Sequence, residues 1–389
     1  MKTSEIYDFI IAGSGAAGLM LAYRMSQDSF FDDKKILLID KFVKNTNDRT
    51  WCFWQEGAGE WDHIISKSWP KIYFASQNLA KDIDLGHYNY KMLRSSDFYN
   101  FIYNILKDKS NFEFVTNGIN LITEKENLVN IHSDDKIFIG KKVFNSIFDP
   151  SIIATLPEFP YLKQHFIGWF VKSETPVFDD SKATFMDFTV EQKGNTRFMY
   201  VLPTTPYEAL VEYTLFSEYL LNKAEYESEI KLYLSNLGIS EYTITETEMG
   251  DIPMTSYPFE RHNTSNILYI GSAGGWTKAS TGYTFASTTR KTQELINFLK
   301  IESDFTRFHR RRRYWYYDLI FLDVLYRNNE VGSDVFSSIF RNNSLKKIFQ
   351  FLDESGTFLD DIKIMLRTRP IKLFTVSAIL NFAKMFKRY

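Results

Sequence analysis

The strongest candidate for acid chemistry in this sequence is a glutamate inside an otherwise apolar stretch. Glu212 lies within residues 209–216, whose aliphatic and aromatic side chains predict a buried strand. A carboxyl group in such surroundings must be hydrogen-bonded, paired with a cation or shifted toward its neutral form. A carboxylic acid that stays protonated near neutral pH can donate a proton to a bound molecule, so Glu212 is a candidate general acid.

A glycine-rich turn near the start of the chain could bind a dinucleotide. A predicted strand over residues 6–12 leads into the turn, and a predicted helix over residues 19–25 follows it. Gly13 allows a tight turn, Gly15 lets backbone N–H groups approach a pyrophosphate, and Gly18 allows helix and strand to pack closely. We therefore predict pyrophosphate contacts at Gly13, Ser14, Gly15, Ala16, Ala17 and Gly18.

The next predicted strand carries the acid that such a unit needs. Residues 35–40 end on Asp40, about 20 residues past the glycines, where a ribose hydroxyl would need an acceptor. We predict cofactor contacts at Asp40 and at the adjacent Lys41. Each feature alone could be an ordinary turn or a solvated strand end, but their combination favours a dinucleotide-binding unit.

A second combination of strand and glycine turn occurs far downstream of the first. Residues 266–270 predict the strand, and glycines follow it directly. A long cofactor that reaches from adenine to an isoalloxazine ring needs two such turns, because one holds the pyrophosphate and the other approaches the flavin end. The pair therefore favours FAD over NAD, with further contacts at Gly271, Gly274, Gly275, Thr281, Gly282 and Tyr283. The alternative is a close crossing of two backbones without a ligand.

A polar segment runs abruptly into aromatic residues after the second strand. Residues 41–48 are mostly polar, and Arg49, Thr50 and Trp51 follow them. One interpretation is a loop that closes over a flat ligand, with these three residues as cofactor contacts. The equal alternative is that Trp51 and Trp54 are core residues and that Arg49 pairs with a nearby carboxylate.

Hydrophobic periodicity predicts the remaining elements. Strands are expected at residues 60–75, 82–92 and 160–215, with short strands between 112 and 139 and a strand at 142–148 that returns to the nucleotide-binding domain. Helices are expected at residues 95–106, 217–237 and over most of 295–373. Ser96 is a possible N-cap of the first of these helices, and a turn is expected at residues 249–254.

Composition and charge limit the classes of partner. A net charge of −2 over 389 residues, with a pI near 6.4, gives no general attraction to nucleic acid. Aromatic residues make up 17% of the chain, which implies either a thick core or a long apolar cavity. Cys52 is the only cysteine, and the six histidines lack metal-ligand spacing. We therefore expect no internal disulfide, no metal site and a reducing compartment.

The C-terminal region combines cations with aromatic and aliphatic residues. Neither a signal peptide nor an apolar run of about 18 residues is visible, so we expect a cytoplasmic protein that is soluble or attached to a membrane surface. Residues 310–317 read RRRRYWYY, and the largely apolar residues 371–382 are followed by Lys384, Lys387 and Arg388. This pattern predicts an interfacial helix on anionic lipid. For the arginine run alone, a solvated basic face is an equal alternative.

These motifs resemble, in order, those of the flavoprotein lycopene cyclases of carotenoid biosynthesis, the bacterial lycopene β-cyclases in particular. The shared motifs are residues 13–18, 48–51 (DRTW), 210–214 (LVEYT), 250–254 (GDIPM) and 281–283 (TGY). The family often has two adjacent acids where this chain has Glu212 and Tyr213, so a role for a second acid would fall to Asp251 or another residue. It also usually has a proline where this chain has Ala279.

The resemblance implies an α/β fold, α+β overall, with a Rossmann-like FAD-binding domain, an antiparallel substrate-binding sheet and a C-terminal helical cap. The FAD-binding domain would be built from residues 1–75 and 251–300, with mixed strands and a helix at 76–159 returning to it. The substrate sheet would occupy residues 160–250, and residues 301–389 would form a helical region able to contact a membrane.

The resemblance also implies a reaction and its cofactors. Linear ends of lycopene would be cyclised to β-rings, giving γ-carotene and then β-carotene without net redox change, with reduced FAD and with NAD(P)H as electron source. Protonation of an isolated carbon–carbon double bond creates a tertiary carbocation, which requires a neutral acid and exclusion of water. We expect Glu212 to donate this proton, and Glu212 or a neighbour to remove the final one. Aromatic faces and reduced flavin would stabilise the cation.

Two other functions remain consistent with the glycine motifs. A flavin hydroxylase or isoprenoid reductase on the same fold would use FAD as a redox reagent and would change the mass of its substrate. A carotenoid-binding flavoprotein would return its ligand unaltered, although a buried acid without a task usually costs stability. The sequence carries no signal for oligomeric state or for whether one or both ends are cyclised.

Overall fold

A computed structural model of the chain describes residues 5–309 and 311–387. The strands in this part are β1 (Ile6–Ala12), β2 (Ile36–Asp40), β3 (Thr50–Glu56), β4 (Lys67–Trp69), β5 (Lys71–Ser76), β6 (Leu79–Asp84), β7 (Tyr88–Arg94), β8 (Phe112–Thr116), β9 (Ile119–Lys125), β10 (Leu128–Ser133), β11 (Ile137–Asn145), β12 (Leu162–Lys172), β13 (Ala183–Asp187), β14 (Thr196–Thr205), β15 (Glu208–Ser217), β16 (Thr243–Met254) and β17 (Ile267–Tyr269). The α-helices are α1 (Ala16–Ser26), α2 (Ser95–Leu106), α3 (Lys223–Asn236), α4 (Phe285–Leu299), α5 (Arg313–Arg327), α6 (Gly332–Asn342), α7 (Leu345–Leu352), α8 (Phe358–Arg367) and α9 (Ile371–Asn381).

The first sheet has the parallel core that the first glycine turn predicts. Its order is β8-β2-β1-β11-β10-β9, with β17 also paired to β11. Strand β1 is parallel to β2 and β11, and its Ile10 and Ile11 are fully buried because both faces of the sheet are covered. The strand predicted at residues 142–148 corresponds to the end of β11, which pairs with β1 but begins earlier, at Ile137, and ends at Asn145. Carboxyl ends of β1, β2 and β17 therefore meet at one edge of the sheet.

The second sheet is the largely antiparallel layer predicted for residues 160–215. Its order is β16-β12-β15-β14-β13-β5-β6. Within this sheet, as described, β13 and β5 are parallel and the other neighbouring strands are antiparallel. Helix α3 packs against one face of the sheet through Tyr226, Ile230 and Leu234. Strand β15 has β12 on one side and β14 on the other, so Glu212 stands in the interior of this sheet.

A small third sheet joins the C-terminal helices to the rest of the molecule. Its order is β3-β7-β4. Trp54 of β3 stacks on Phe349 of α7 with ring centroids 4.6 Å apart and planes 5° from parallel. Phe74 of β5 stacks in the same way on Phe340 of α6, with centroids 4.1 Å apart. The mixed α/β fold with an antiparallel sheet and a helical C-terminal region is thus confirmed.

Two predicted elements of the second half are wrong in detail. Residues 249–254 are not a turn, because β16 continues to Met254 in register with Leu162 of β12. Pro253 fits there since β16 is an edge strand, where a missing N–H costs little. The helix predicted from residue 217 begins at Lys223, because β15 extends to Ser217 and the Asn222 side chain caps the helix by accepting a hydrogen bond from the Glu225 N–H.

Two predictions near the start of α2 also need correction. The helix spans residues 95–106 as predicted, but Arg94 occupies the N-cap position and Ser96 lies inside the helix. Residues 60–75 are not continuous strand, because a short 3-10 helix, Asp62–Ile64, precedes β4 and β5. The break places β4 in the third sheet and β5 in the second.

Residues 5–309 and 311–387 contain neither a membrane-spanning helix nor a cluster of candidate metal ligands. No helix in these ranges, α5 and α9 included, is both long enough and apolar enough to cross a membrane. Histidine, cysteine and acidic side chains in the same ranges form no cluster of three placed to hold a metal ion.

Candidate active site

Two glutamates from different strands meet above one glycine. Gly168 of β12 is in register with Glu212 of β15 on one side and with Glu248 of β16 on the other. Glu212 is 8% exposed and Glu248 is 7% exposed. Burial and the nearby Glu248 together raise the pKa of Glu212, so the two carboxyl groups interact and the protonated form of Glu212 is favoured. We call Glu212 and Glu248 the carboxyl pair.

Gly168 makes this meeting sterically possible. A Cβ atom added at Gly168 would lie 3.3 Å from Cβ and 3.4 Å from Cγ of Glu212, and 2.8 Å from Cδ1 of Leu210. Any larger residue would therefore push against the side chain of Glu212. The glycine leaves the space between the two outer strands to the two carboxyl groups.

The surroundings of Glu212 favour its neutral form. Burial, followed by the negative charge of Glu248, raises the pKa of Glu212 to about 8. The Thr214 hydroxyl donates a 2.7 Å hydrogen bond to Oε1 of Glu212 and opposes this shift only in part. Glu212 is therefore largely protonated near neutral pH, as the sequence-based hypothesis requires of a general acid.

Glu248 has different neighbours on its side of the carboxyl pair. Burial also raises its pKa, but the Thr50 hydroxyl donates a 2.6 Å hydrogen bond to Oε2 of Glu248 and favours the carboxylate. The positive charges of Arg94 and Arg49 act in the same direction. Arg94 is held by Glu246, with 2.5 Å between Nη2 and Oε1. The two members of the pair thus differ in how well their ionised forms are stabilised.

Asp251, the second predicted acid, does not join the carboxyl pair. It contributes to the wall of the same cavity but is exposed, and it is in register with His165 rather than with Gly168. Since side chains alternate along a strand, a residue three positions from Glu248 points to the opposite face of the sheet. Sequence reasoning missed Glu248, although its place two residues before the motif at residues 250–254 was a signal that could have identified it.

Aromatic side chains form the wall beside Glu212. Tyr200 is in register with Glu212 on β14, and Tyr90 and Tyr283 approach each other with hydroxyl oxygens 3.5 Å apart. Burial raises the pKa of all three phenols, so they remain neutral. Trp54 packs edge-on against Tyr283 with ring centroids 4.8 Å apart. The wall offers apolar ring surface with few charges.

One cavity connects the carboxyl pair to both glycine turns. It has a volume of about 420 Å³, and its wall includes Glu212, Glu248, Gly15, Gly271 and Tyr283. A second, almost entirely apolar cavity of about 100 Å³ shares three wall residues with it. Those shared residues are Tyr200, Thr281 and Tyr283. The second cavity continues between the C-terminal helices, with Ile364, Met365 and Phe374 in its wall.

The first glycine turn has the geometry expected of a pyrophosphate site. Gly13 has φ +94°, a conformation that favours glycine, and Gly15 occupies the N-cap position of α1. A Cβ added at Gly18 would lie 2.0 Å from the carbonyl oxygen of Gly13, whereas one added at Gly15 would meet no protein atom within 4 Å. Gly18 therefore serves packing, while Gly15 leaves the N-terminus of the helix open to an anion.

The second glycine turn lies directly against the first. Gly271 has φ +59°, and a Cβ added there would lie 2.8 Å from Cβ of Ala17. Gly274 and Gly275 continue the turn, and Gly275 has φ +68°. Along the same cavity, Oε1 of Gln164 is buried without a hydrogen-bond partner among the described residues. These features fit a long dinucleotide that spans both turns and supplies a donor to Gln164.

Of the remaining predicted cofactor residues, Arg49, Thr50 and Trp51 line this cavity, whereas Asp40 and Lys41 are not part of its wall. Asp40 accepts a 2.7 Å hydrogen bond from the Ser14 N–H, so it links the end of β2 to the first turn. Lys41 is exposed with its Nζ 5.0 Å from the ring centroid of Phe42. Arg49 lines the cavity, and its guanidinium donates to the Asp48 carbonyl oxygen rather than to a carboxylate.

The two tryptophans of the aromatic segment have different environments. Trp51 packs on Phe285 with their ring centroids 5.3 Å apart, and it also lines the cavity. Trp54 is buried, and its indole N–H donates a 2.7 Å hydrogen bond to Asp353. The core interpretation therefore describes Trp54, whereas Trp51 belongs to both the core and the cavity wall.

Comparison with known proteins identifies a family and two distant relatives of this chain. A family model described as lycopene cyclase protein matches residues 8–378. Lycopene beta-cyclase from Pantoea ananas is 24% identical over 257 residues, which cover 64% of this chain and 63% of that protein. The chromoplastic capsanthin/capsorubin synthase of Citrus sinensis is 26% identical over 309 residues, which cover 72% of this chain and 58% of that protein. Both matches span less than two thirds of the relative's length.

A solved structure shares the fold at low sequence identity. A flavoprotein/dehydrogenase from Cytophaga hutchinsonii superposes with a TM-score of 0.60 at 11% identity, covering 98% of this chain and 100% of that one. At this identity the likeness extends to the fold alone. It agrees with the arrangement of the first and second sheets described above.

Proposed function

The chain belongs to the lycopene cyclase family, and from this premise we propose that it is a lycopene β-cyclase. It closes the linear ends of lycopene into β-rings, giving γ-carotene and then β-carotene without net redox change. The observation that carries the proposal is Glu212, a buried and largely neutral acid that faces an aromatic cavity. This is the group that protonation of an apolar polyene requires.

The proposed reaction begins at Glu212. Its carboxyl proton adds to the terminal double bond of the polyene and leaves a tertiary carbocation. The next suitable double bond attacks this cation and closes the ring. Exclusion of water by the buried walls prevents capture of the cation, and the rings of Tyr200 and Tyr283 offer electron-rich faces to it.

The proposed cofactor is reduced FAD. Residues of the first turn would hold its pyrophosphate, and Gly271, Gly282 and Tyr283 would border its flavin end. Asp40 would accept from a ribose hydroxyl, with Lys41, Arg49, Thr50 and Trp51 as further contacts. When bound, the reduced flavin supplies an electron-rich surface that stabilises positive charge. NAD(P)H is the proposed electron source that keeps the flavin reduced.

We also propose peripheral contact with the cytoplasmic side of a membrane through α9 and the residues after it. The side chains that α9 buries are polar, and Ser377 donates a hydrogen bond to the Ile320 carbonyl oxygen of α5. Several apolar side chains of α9 and of the residues after it are exposed instead, among them Ile379 at 71% and Phe386 at 70%. Such an inverted pattern suits an apolar surface rather than water.

Cations lie near this outward apolar face. Lys372 and Arg369 are exposed, and the second cavity, between the C-terminal helices, approaches the same region through Phe374. This charge pattern complements anionic lipid. Arg310 and Arg388, which belong to the predicted basic segments, lie outside the described residues.

Expression in a lycopene-accumulating bacterial host tests the proposal. We expect the red pigment to be replaced by γ-carotene and β-carotene of the same mass as lycopene. A product heavier by oxygen or hydrogen would identify a hydroxylase or a reductase instead. Unaltered lycopene beside a flavin-loaded protein would indicate a carotenoid-binding flavoprotein and would overturn the proposal.

A further inference from the structure

We propose that Glu248 is the base that removes a proton from the closed ring and then transfers it to Glu212. In each turnover Glu212 thus donates one proton and regains one from Glu248. This inference rests on the proposed cyclase function and assigns a second catalytic residue to it. The family resemblance pointed to Asp251 or another residue for such a role, and the sheet geometry favours Glu248 over Asp251.

Strand register brings the two carboxyl groups to the same place. β15 and β16 are separated by β12, so Glu212 and Glu248 have backbones roughly 10 Å apart. Both are in register with Gly168, so both side chains project from the same face, and no intervening side chain separates them. Both also line the cavity proposed to hold the polyene end. One substrate carbon skeleton can therefore contact both carboxyl groups.

Neighbouring groups divide the acid and base roles between the pair. On the Glu248 side, the Thr50 hydroxyl, Arg94 and Arg49 all favour a carboxylate. The pKa of Glu212 is instead raised by burial and by Glu248, and among the described residues only the neutral Thr214 hydroxyl lowers it. A single shared proton therefore resides on Glu212, which leaves Glu248 as the ionised partner.

The proton and electron balance closes within the pair. The Glu212 proton and the π electrons of the terminal double bond form a C–H bond, and the π electrons of a second double bond form the ring-closing C–C bond. The positive charge is then on a ring carbon. A neighbouring C–H bond breaks, its electrons form the ring double bond, and its proton passes to the Glu248 carboxylate. Transfer of this proton from Glu248 to Glu212 restores the site.

The test compares Glu248→Gln with the wild-type holoenzyme and lycopene in detergent. We expect β-ring formation to fall by at least about 100-fold, the usual range for loss of an acid–base group. Rings that still close should carry their double bond at another position, because the cation loses a different neighbouring proton. Bound-flavin absorbance and thermal unfolding report whether the variant is folded. Wild-type rate and ring type in Glu248→Gln would overturn the inference.

A matched control separates this effect from a general loss of carboxylates. Glu208 lies on β15, four residues before Glu212. Its Oε1 forms a surface ion pair with Nζ of Lys172 at 2.9 Å. Glu208→Gln should therefore keep both the rate and the β-ring product. If the wild type itself forms no rings, the proposed cyclase function fails. If the wild type and Glu248→Gln are equally active, only the role of Glu248 fails.

A second variant covers the case in which Glu248→Gln does not fold. Thr50→Val keeps the carboxyl group but removes its hydroxyl donor, which raises the pKa of Glu248. Because the base must be ionised, the acidic limb of the pH–rate profile should move to higher pH. Other groups that face Glu248 are Glu212 on β15, Glu246 on β16, Cys52 on β3, Arg94 on β7 and Arg49. An unshifted profile in Thr50→Val would contradict the inference.

Discussion

Glu212 and Glu248 lie on strands that do not pair with each other, yet both are in register with Gly168. The glycine between them has no side chain, so two acids share one buried space. Among residues 5–309 and 311–387, the side chains that donate hydrogen bonds to these acids are the hydroxyl groups of Thr214 and Thr50, not cations. This arrangement favours the protonated form of Glu212 at the wall of the cavity.

Substitution of Gly168 should reduce cyclisation activity by more than its effect on the free energy of unfolding accounts for. In Gly168→Ala, the new methyl group would press on Glu212 and Leu210, so we expect a loss of about 1–3 kcal/mol in unfolding free energy. Gly140→Ala is a matched control, because its Cβ would lie 2.8 Å from Ile10 in the first sheet. At a temperature where both variants are folded, only Gly168→Ala should lose cyclisation activity by about tenfold or more. Equal activities would show that the pair tolerates displacement.

The first glycine turn contains two glycines with opposite roles. Gly15→Ala adds a methyl group that meets no protein atom, so the flavin-free variant should unfold at the wild-type temperature. Flavin affinity, measured by fluorescence titration, should fall by about tenfold or more because the methyl group enters the pyrophosphate position. Gly18→Ala should instead cost at least about 3 kcal/mol of stability through its contact with the Gly13 carbonyl. Normal flavin affinity in folded Gly15→Ala would contradict the proposed cofactor position.

The outward apolar face of α9 predicts lipid binding. The double variant Ile379→Asp, Phe386→Asp changes exposed residues, so its thermal stability should stay within about 0.5 kcal/mol of the wild type. Its flotation with anionic vesicles should fall by about tenfold or more. Ile301→Asp, at a position 87% exposed elsewhere on the chain, is the control and should float as the wild type does. Equal flotation of all three proteins would place the contact elsewhere.

The raised pKa of Glu212 makes stability depend on pH with a defined sign. Its pKa is raised from 4.5 to about 8, so the stabilising effect of its folded protonated state is fully present below pH 4.5 and is lost as pH rises through about 8. Denaturant unfolding of wild type and Glu212→Gln should therefore diverge between these values. The wild type should lose up to about 1.4 kcal/mol per pH unit relative to the variant. Parallel curves would mean that Glu212 titrates normally.

Local patterns were sufficient to predict the glycine turns and the burial of Glu212, whereas the overall α/β fold followed from the family resemblance. The two local predictions depend on residues close in sequence, such as the glycines at residues 13–18 and the apolar neighbours of Glu212. Glu248 was not predicted, because β16 is an edge strand with exposed residues at alternate positions and therefore resembles a solvated segment. Its burial arises from pairing with β12 across about 80 positions of sequence, which local periodicity does not report.

The contact between the two glycine turns also depends on long-range strand pairing, which local sequence patterns do not report. Both turns were predicted as cofactor sites, but the approach of Gly271 to Ala17 depends on the pairing of β17 with β11 beside β1. That pairing joins segments far apart in the chain. It was inferred only indirectly, from the length of the cofactor that two turns could hold.

Product formation by Glu212→Gln tests the central claim most directly. Glutamine keeps the size of the side chain and can hydrogen-bond to Thr214, but it cannot donate an acidic proton. With purified protein, reduced FAD and lycopene, we expect unchanged flavin binding and a loss of ring formation of at least about 100-fold, while Glu208→Gln retains wild-type turnover. Formation of β-carotene by Glu212→Gln at the wild-type rate would contradict the assignment of Glu212 as the proton donor.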